Sequence, residues 1–243
     1  MARVRLDSLL AERGLFASRS RAAAAVLAGD VRLGVGRRRA DKPGQMVAAD
    51  VEVDVAAAPA YVSRGGVKLA NALDALGVPV AGRRALDVGA STGGFTDCLL
   101  QRGAEHVAAL DVAYGELDHK LRQDPRVTVL ERVNARALEP ALLPYRPDLV
   151  VADVSFIGLA KVLPAILRCV QPESFDVLAM VKPQFEVGRE RLGKGGVVRD
   201  PALRREALVA VAASVVDGTG AAAVLGFASS GLPGPKGNRE TFV

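Results

Sequence analysis

The sequence predicts an α/β fold, in which a parallel sheet is covered by helices on both faces, preceded by a small α+β domain. Residues 177–181 are five consecutive apolar residues without alternation, a pattern typical of a parallel strand that is buried on both sides. From about residue 61 onward, strand-like and helix-like segments alternate, as in proteins built from β–α–β units. The first 55 residues lack this alternation and are rich in arginine. We therefore expect two domains.

The composition indicates a globular protein and disfavours several other classes. Half of the 243 residues are hydrophobic, which is enough apolar material for one large domain and a small one. The two cysteines, Cys98 and Cys169, lie far apart in the sequence, which argues against a disulfide framework or a zinc site. No apolar run reaches the roughly 18 residues of a membrane span, and the N-terminus lacks the apolar core of a secretory signal. We expect a cytoplasmic protein with no metal and no membrane partner.

Two short helices are predicted in the first domain, residues 1–55. The leucines at the start of the chain share one face of a helix that Gly14 ends. A second helix is expected to begin after Ser18, its N-cap, and to end at Gly29. The segments DVRLGV and VEVDV are strand-like.

A linker, residues 56–62, is expected to join this domain to a larger one, residues 63–243, because the segment AAAPA lacks any periodic pattern. The net charge of +5 permits a polyanionic partner. Basic residues concentrate in the first domain, at Arg3, Arg5, Arg13, Arg19, Arg21, Arg32, Arg37, Arg38, Arg39 and Lys42.

The larger domain contains five strand-like segments, separated by helix-like ones such as FTDCLLQRG, GLAKVLPAILRCV and PALRREALVAVAASVV. This order predicts a parallel sheet with helices on both faces. The strand-like segments are RRALDVG, HVAALDV, LVVADV, FDVLAMV and AAVLGFA.

A glycine-rich turn, LDVGASTGGFT, follows the first strand of the larger domain and opens a helix. Asp87 closes that strand, and the glycines at positions 89, 93 and 94 allow a ligand to approach the backbone closely. The turn lacks the Lys-Ser/Thr pair of a triphosphate-binding loop. Asp111 ends the next strand, where an acid can accept hydrogen bonds from ribose hydroxyls. The pattern favours an adenosine-type cofactor, although sharp turns after strands also occur for structural reasons alone.

Asp153 and Lys182 each follow an apolar strand. Because ligands of open α/β sheets bind beyond the carboxyl ends of the strands, we expect both side chains to converge on the cofactor cavity. A lysine at the end of a buried strand is costly unless it has partners or a task. A catalytic pair is the interpretation we favour, and a structural ion pair is the alternative.

Several motifs together resemble the TlyA family of ribosomal RNA 2′-O-methyltransferases, which are also known as hemolysins. The region RLDSLLAERGLFASRSRAAAAVLAGDVRL is similar to the small RNA-binding domain named after ribosomal protein S-four. The remainder resembles FtsJ-like methyltransferases, which have a Rossmann-like sheet and depend on S-adenosylmethionine. The motifs are YVSRGGVKL, LDVGASTGGFTDCLL, LDVAYGEL, ADVSFI, VKPQFEVG and GNRETF.

The resemblance implies roles for individual residues. It implies a catalytic tetrad of Lys68, Asp153, Lys182 and Glu240. The cofactor-binding positions that the resemblance implies are Gly89, Ser91, Gly93, Gly94, Phe95, Asp111 and Asn134, the last beside the adenine. Asp87, at the end of the preceding strand, is added to this set. Expected RNA contacts are Arg3, Arg5, Arg19 and Lys42, with Arg64 as a further phosphate contact.

The reaction implied is the in-line transfer of a methyl group to a ribose hydroxyl. Lys182 has two alternative roles in it. Lysine in water is protonated at neutral pH, so Lys182 either accepts the hydroxyl proton in the assembled site or polarises the hydroxyl while water takes the proton. Ribosomal RNA or a ribosomal subunit is the expected partner. The oligomeric state is left open.

Three other interpretations remain. The chain could be a non-catalytic RNA-binding assembly factor, a membrane-lytic hemolysin or a methyltransferase that acts on a base. The sequence ends three residues after Glu240, where related sequences usually continue. We expect either a short subtype or a truncated chain. The short C-terminus favours the large-subunit RNA as the target. The role of Glu240 is expected to depend on an intact last strand.

Overall fold

The chain folds into two compact units, Met1–Pro59 and Ala60–Val243. The computed structural model describes residues 3–56, 59–219 and 222–243. The division between the units falls inside the linker expected at 56–62, of which residues 57 and 58 lie outside the described residues. Each unit has a hydrophobic core of its own.

The smaller unit combines two helices and two small antiparallel sheets around one core. The second helix begins after Ser18, whose Oγ accepts a hydrogen bond from the Arg21 N–H at 3.2 Å, and ends at Gly29 in the left-handed conformation. In one sheet β1 pairs with β4, and in the other β2 lies between β3 and β5. The elements are β1 (Arg3–Arg5), α1 (Leu6–Glu12), α2 (Arg19–Ala28), β2 (Val31–Leu33), β3 (Arg38–Arg39), β4 (Met46–Ala48) and β5 (Val53–Val55).

The larger unit is built on a seven-stranded sheet with the strand order β11-β12-β10-β9-β6-β7-β8. The strands from β10 to β8 are parallel, whereas β12 is antiparallel to both β10 and β11. The strands are β6 (Arg84–Val88), β7 (His106–Asp111), β8 (Val127–Glu131), β9 (Leu149–Ala152), β10 (Asp176–Val181), β11 (Ala228–Ser229) and β12 (Thr241–Phe242).

Helices cover both faces of this sheet, as the sequence predicts. Alternate residues of each strand enter two separate cores, because successive side chains of a strand point to opposite faces. One core includes α3 and α4, and the other includes α6 and α8. The helices are α3 (Arg64–Leu76), α4 (Gly94–Gln101), α5 (His119–Arg122), α6 (Leu163–Leu167), α7 (Pro183–Glu186) and α8 (Pro201–Thr219), with short 3-10 helices at Ala135–Ala137, Pro140–Leu142, Leu159–Lys161, Arg189–Arg191 and Lys194–Gly196.

The sheet differs from the prediction at both edges. The segment AAVLGFA was expected to form a strand, but only Ala228 belongs to one, and residues 222–227 have no regular structure. At the other edge, β8 is a strand that the sequence analysis did not identify, since the polar Thr128 and Glu131 interrupt its apolar pattern. The sheet is also mixed rather than wholly parallel, because β12 is antiparallel to its two neighbours. The expected helix GLAKVLPAILRCV is reduced to Leu163–Leu167 after a 3-10 turn.

Neither a membrane span nor a metal-binding cluster occurs within the described residues. No helix there is long and apolar enough to cross a bilayer. The same ranges contain no group of three or more histidine, cysteine or acidic side chains that could hold a metal ion. Cys98 and Cys169 are both buried free thiols.

Candidate active site

A cavity of about 390 Å³ opens beyond the carboxyl ends of β6 and β9 in the larger unit. Its position is the one at which open α/β sheets bind ligands. Residues of the glycine-rich turn and of two expected catalytic positions line it together. The lining includes Ser63, Lys68, Gly89, Ser91, Gly94 and Asp153.

The glycines of the turn are required by the packing of the chain on itself. Gly89 has a φ of +85°, and a Cβ there would lie 2.6 Å from the carbonyl oxygen of Asp153. A Cβ on Gly94 would lie 2.1 Å from Ser63 Oγ. Phe95, next to Gly94, is buried in the core and also lines the cavity, whereas Gly93, the N-cap of α4, does not line it. The turn therefore holds the backbone of β6, β9 and α3 close to the cavity.

Asp111 ends β7 and organises the same turn through both of its carboxylate oxygens. Oδ2 accepts a hydrogen bond from the Ser91 N–H at 2.8 Å, and Oδ1 accepts one from the Ala113 N–H at 2.8 Å. Each oxygen keeps the capacity for a further hydrogen bond. Asn134 is exposed after β8, where its Oδ1 accepts from the Arg136 N–H at 3.0 Å. Neither Asp111 nor Asn134 lines the cavity.

Asp87 occupies a different position from the one that the sequence suggests. It is the penultimate residue of β6 and is fully buried, so it does not line the cavity. Its Oδ2 accepts a hydrogen bond from Thr96 Oγ1 at 2.7 Å, while Oδ1 has no hydrogen-bond partner within the described part of the chain. Burial raises the pKa of Asp87 to about 7; the hydrogen bond from Thr96 opposes this increase, and the nearby charge of Asp153 adds to it.

Lys182 and Asp153 lie at the ends of the neighbouring parallel strands β10 and β9. The Lys182 ammonium is 2.6 Å from Asp153 Oδ1, but within the described residues that oxygen accepts no hydrogen bond. The ammonium donates its directional hydrogen bond to Ser155 Oγ at 2.8 Å. Asp153 therefore supplies the compensating charge, and Ser155 fixes the direction of one N–H.

Lys68 and Glu240 form a second pair that is almost completely buried. Lys68 lies on α3, and its Nζ donates to Glu240 Oε2 at 2.5 Å. Glu240 directly precedes β12, and its carbonyl oxygen accepts from the Ser230 N–H at 3.1 Å. The last strand is thus paired on both sides, and Glu240 is fixed in place rather than frayed.

Two residues at this site were not singled out from the sequence, although both belong to the quoted motif ADVSFI. Ser155 lies two positions after Asp153, a spacing that places both side chains on one side of an extended chain. Phe156 is 93% exposed and has a φ of +67°, an uncommon conformation for a bulky residue. No pattern in the sequence indicates either the exposure or the strain of Phe156.

The basic residues expected to contact RNA are exposed on their respective units. Arg5 and Arg19 both form ion pairs with Asp7, at 2.8 and 3.2 Å. Arg3 donates to the Met46 carbonyl oxygen at 2.9 Å. In the larger unit, Arg64 lines the cavity and donates to the Pro233 carbonyl oxygen at 2.8 Å. Lys42 lies in the turn before β4.

Comparison with known proteins identifies the family. The model of the FtsJ-like methyltransferase family matches residues 61–243. The 16S/23S rRNA (cytidine-2′-O)-methyltransferase TlyA of Mycobacterium tuberculosis is 51% identical over 243 residues, which cover 99% of this chain and 89% of that protein. YqxC of Bacillus subtilis, provisionally named an rRNA methyltransferase, is 48% identical over 206 residues, or 84% of this chain and 72% of its own.

A solved structure has the same architecture over the whole chain. It is a Streptococcus thermophilus protein, provisionally named a hemolysin, with a TM-score of 0.73 and 40% identity, and the match covers 100% of this chain and 87% of that one. Sequence and structure therefore lead to the same group of proteins. The chain belongs to the FtsJ-like methyltransferase family and, within that family, to the TlyA proteins.

Proposed function

We propose that this chain transfers a methyl group from S-adenosylmethionine to the ribose 2′-hydroxyl of a cytidine in ribosomal RNA. The relative from Mycobacterium tuberculosis carries this activity in its name and is named for both the 16S and the 23S RNA. The observation on which the proposal depends is the cavity of about 390 Å³. Its wall contains the glycine-rich turn together with one member of each lysine–carboxylate pair, Lys68 and Asp153.

The residues around the turn fit an adenosyl cofactor. Each oxygen of Asp111 accepts one backbone N–H and can accept a ribose hydroxyl as well. We propose that Gly89, Ser91 and Gly94 border the cofactor, and that the exposed Asn134 reaches its adenine. Asp87 would act indirectly, since its hydrogen bond to Thr96 anchors the first turn of α4. When bound, S-adenosylmethionine supplies a methyl group that is already activated on a sulfonium.

The residues of the chain then have to align the hydroxyl and manage its proton. Lys182 is the proposed proton acceptor or hydrogen-bond donor to the hydroxyl. Asp153 compensates its charge, and Ser155 fixes the orientation of the nitrogen. The Lys68–Glu240 pair provides a fixed, buried polar wall on the α3 side of the cavity. No metal is required for any of these tasks, because the leaving group needs no further activation.

Phe156 is the proposed stacking partner of the target base. Its ring is exposed beside Ser155 and lies 5.7 Å from the ring of Phe185. Backbone strain of this kind persists at functional sites, and RNA enzymes hold a splayed-out base against aromatic side chains. Replacing Phe156 with alanine should slow methyl transfer without altering thermal stability, whereas Phe156→Tyr should retain activity. Equal rates for the alanine and tyrosine variants would remove Phe156 from the proposal.

The smaller unit is proposed to be an S-four-type domain that docks on structured ribosomal RNA through its exposed arginines. Contacts from arginine to phosphate fix position without reading sequence. We therefore propose that the protein acts in the cytoplasm, with ribosomal RNA or a ribosomal subunit as its partner.

The test of the proposed function uses purified 30S and 50S subunits from cells that lack this modification. They are incubated with the full-length protein and radiolabelled S-adenosylmethionine, and 2′-O-methyl groups are then mapped on both RNAs. We expect labelled cytidines in at least one RNA and far less label at the same positions when Lys182→Met replaces the natural protein. Lys120→Met, a change in an exposed lysine on α5, is the matched control. RNA that is bound but never methylated would instead support a non-catalytic assembly factor.

A further inference from the structure

Asp7 is a buried carboxylate at the start of α1, in the smaller unit. It is 4% exposed. Its Oδ1 accepts hydrogen bonds from Arg5 Nε at 3.1 Å and from the Ser8 N–H at 2.9 Å, and its Oδ2 accepts one from Arg5 Nη2 at 2.8 Å. Arg19 Nε lies 3.2 Å from the same Oδ2. The hydrogen bond from Arg5 holds the pKa of Asp7 well below its usual range, against the effect of burial, so the carboxylate stays charged near neutral pH.

The two arginines that surround Asp7 remain accessible to water. Their side chains are 47% and 58% exposed. Because both contact the same oxygen atom, Asp7 holds the two guanidinium groups near each other. Two cations around one anion leave an excess positive charge. Each guanidinium has five N–H donors; Asp7 accepts hydrogen bonds from two of those on Arg5, whereas its contact with Arg19 is an ion pair.

The turn before β4 keeps the space around Arg5 open. A Cβ on Gly44 would lie 2.8 Å from Arg5 Nη2, so any larger residue would displace the guanidinium. The same turn is fixed to α1, since the Leu6 N–H donates to the Gln45 carbonyl and the Asp7 N–H to the Pro43 carbonyl, both at 2.9 Å. The position of Arg5 is therefore determined from two sides, by a buried anion and by a glycine.

We infer that Asp7 is a positioning residue that holds Arg5 and Arg19 together as one site for a single phosphate group of RNA. Paired arginine forks match the oxygens of a phosphate and bind it more strongly than a point charge does. The identity of the partner as RNA rests on the proposed function, whereas the arrangement of the arginines rests on the contacts alone. Asp7 itself touches no RNA and acts through its two arginines.

Other arginines of the smaller unit serve as internal controls. Both terminal nitrogens of Arg13 donate to backbone carbonyls, those of Val51 and Ala49, each at 2.7 Å. Arg37 pairs with Asp54 at 3.7 Å, and both side chains are exposed, at 71% and 46%. The Arg37–Asp54 pair thus also joins an arginine to an aspartate, but it is exposed, and no second arginine forms an ion pair with Asp54 within the described residues.

The experiment measures binding of the full-length protein to a short fluorescent RNA duplex, without cofactor, so that failure of methyl transfer does not affect the result. Asp7→Asn removes a negative charge, and net charge alone would then strengthen binding to RNA. The inference gives the opposite sign: we expect about tenfold weaker binding. Asp54→Asn, the matched control, should leave binding unchanged or tighter. Asp7→Asn protein that binds as tightly as the natural protein would overturn the inference.

A second set of variants avoids the buried carboxylate and so does not depend on the folding of Asp7→Asn. Arg5→Lys and Arg19→Lys keep the charge but lose the fork, and each should weaken binding. In Arg5→Ala/Arg19→Ala the salt dependence of binding should fall by about 0.9 in log–log slope, the value for one phosphate. A fall about twice as large would show two separate phosphate contacts. Binding to phosphatidylserine vesicles that responds to these changes, while RNA binding does not, would exclude RNA as the partner.

Discussion

Two lysine–carboxylate pairs flank the cavity, and they differ in how far they are withdrawn from water. The side chains of Lys68 and Glu240 are 9% and 1% exposed, whereas those of Lys182 and Asp153 are 11% and 25% exposed. The first pair joins α3 to the segment before β12 and is closed on itself. The second pair stands at two strand ends, with its lysine also bonded to the exposed Ser155. We propose that the same pairing of charges serves mainly stability in the buried pair and chemistry in the more open one.

Breaking the buried pair should have the largest effect on folding. Lys68→Met leaves the Glu240 carboxylate buried without a partner, and such losses cost about 3–5 kcal/mol of unfolding free energy. The double variant Lys68→Met/Glu240→Leu removes both charges, so most of the stability should return while methyl transfer stays impaired. Urea denaturation measures the first effect and labelled-methyl transfer the second. If Lys68→Met costs no more stability than Lys182→Met, the two pairs do not differ in the proposed way.

Removing the hydroxyl beside the open pair should have a smaller effect. Ser155→Ala leaves Lys182 next to Asp153 but frees the direction of its N–H, so we expect kcat to fall about tenfold while KM for RNA stays the same. Ser155→Thr keeps the hydroxyl and should restore most of the rate. Steady-state kinetics on ribosomal subunits separates the two constants. An alanine variant with the natural kcat, or a threonine variant as slow as alanine, would argue against the positioning role of Ser155.

A pH-dependent effect on stability is predicted for Asp87, whose pKa responds in part to the charge of Asp153. The folded-state pKa of about 7 lies above the value near 3.9 of an unfolded chain. The folded state therefore binds the proton more tightly, and the stability from Asp87 is present below about pH 4 and is lost as the pH rises through about 7. Asp87→Asn cannot lose a proton, so its melting temperature should gain on the natural protein between pH 5 and pH 8.

Thermal melts across this pH range test that expectation. A difference in melting temperature between the two proteins that does not change with pH would show that Asp87 does not titrate there. The Asp153→Asn variant sharpens the comparison, because loss of the neighbouring charge should lower the pKa of Asp87 and move the transition to lower pH.

The sequence determines the open pair more directly than the buried one. Asp153 and Lys182 follow consecutive strands that pair side by side in a parallel sheet, so the topology alone brings their side chains to one edge. Lys68 and Glu240 are 172 positions apart and meet because β12 inserts antiparallel between β10 and β11. No rule of spacing predicts that insertion, and only the resemblance to the family suggested the pair.

Local patterns also differ in what they specify. Caps such as Ser18 and Gly29 define the ends of α2 from the sequence alone, because their hydrogen bonds and backbone angles are local. Burial is not local, because it depends on residues that are distant in the sequence. Asp87 is fully buried, and its side chain contacts Thr96 rather than the cavity. The segment AAVLGFA shows the same limit, since apolar residues become a strand only where a partner strand lies beside them, as at Ala228.

The central claim is that Lys182 acts on the hydroxyl while the buried pair holds the cavity together. Its most direct test is the single-turnover rate of methyl transfer to ribosomal RNA by Lys182→Met, with cofactor and RNA both saturating. The expected result is a rate lower by about 10²–10⁴-fold, with unchanged affinity for both ligands and a melting temperature close to that of Lys120→Met. A Lys182→Met protein that transfers the methyl group at the natural rate would contradict the account.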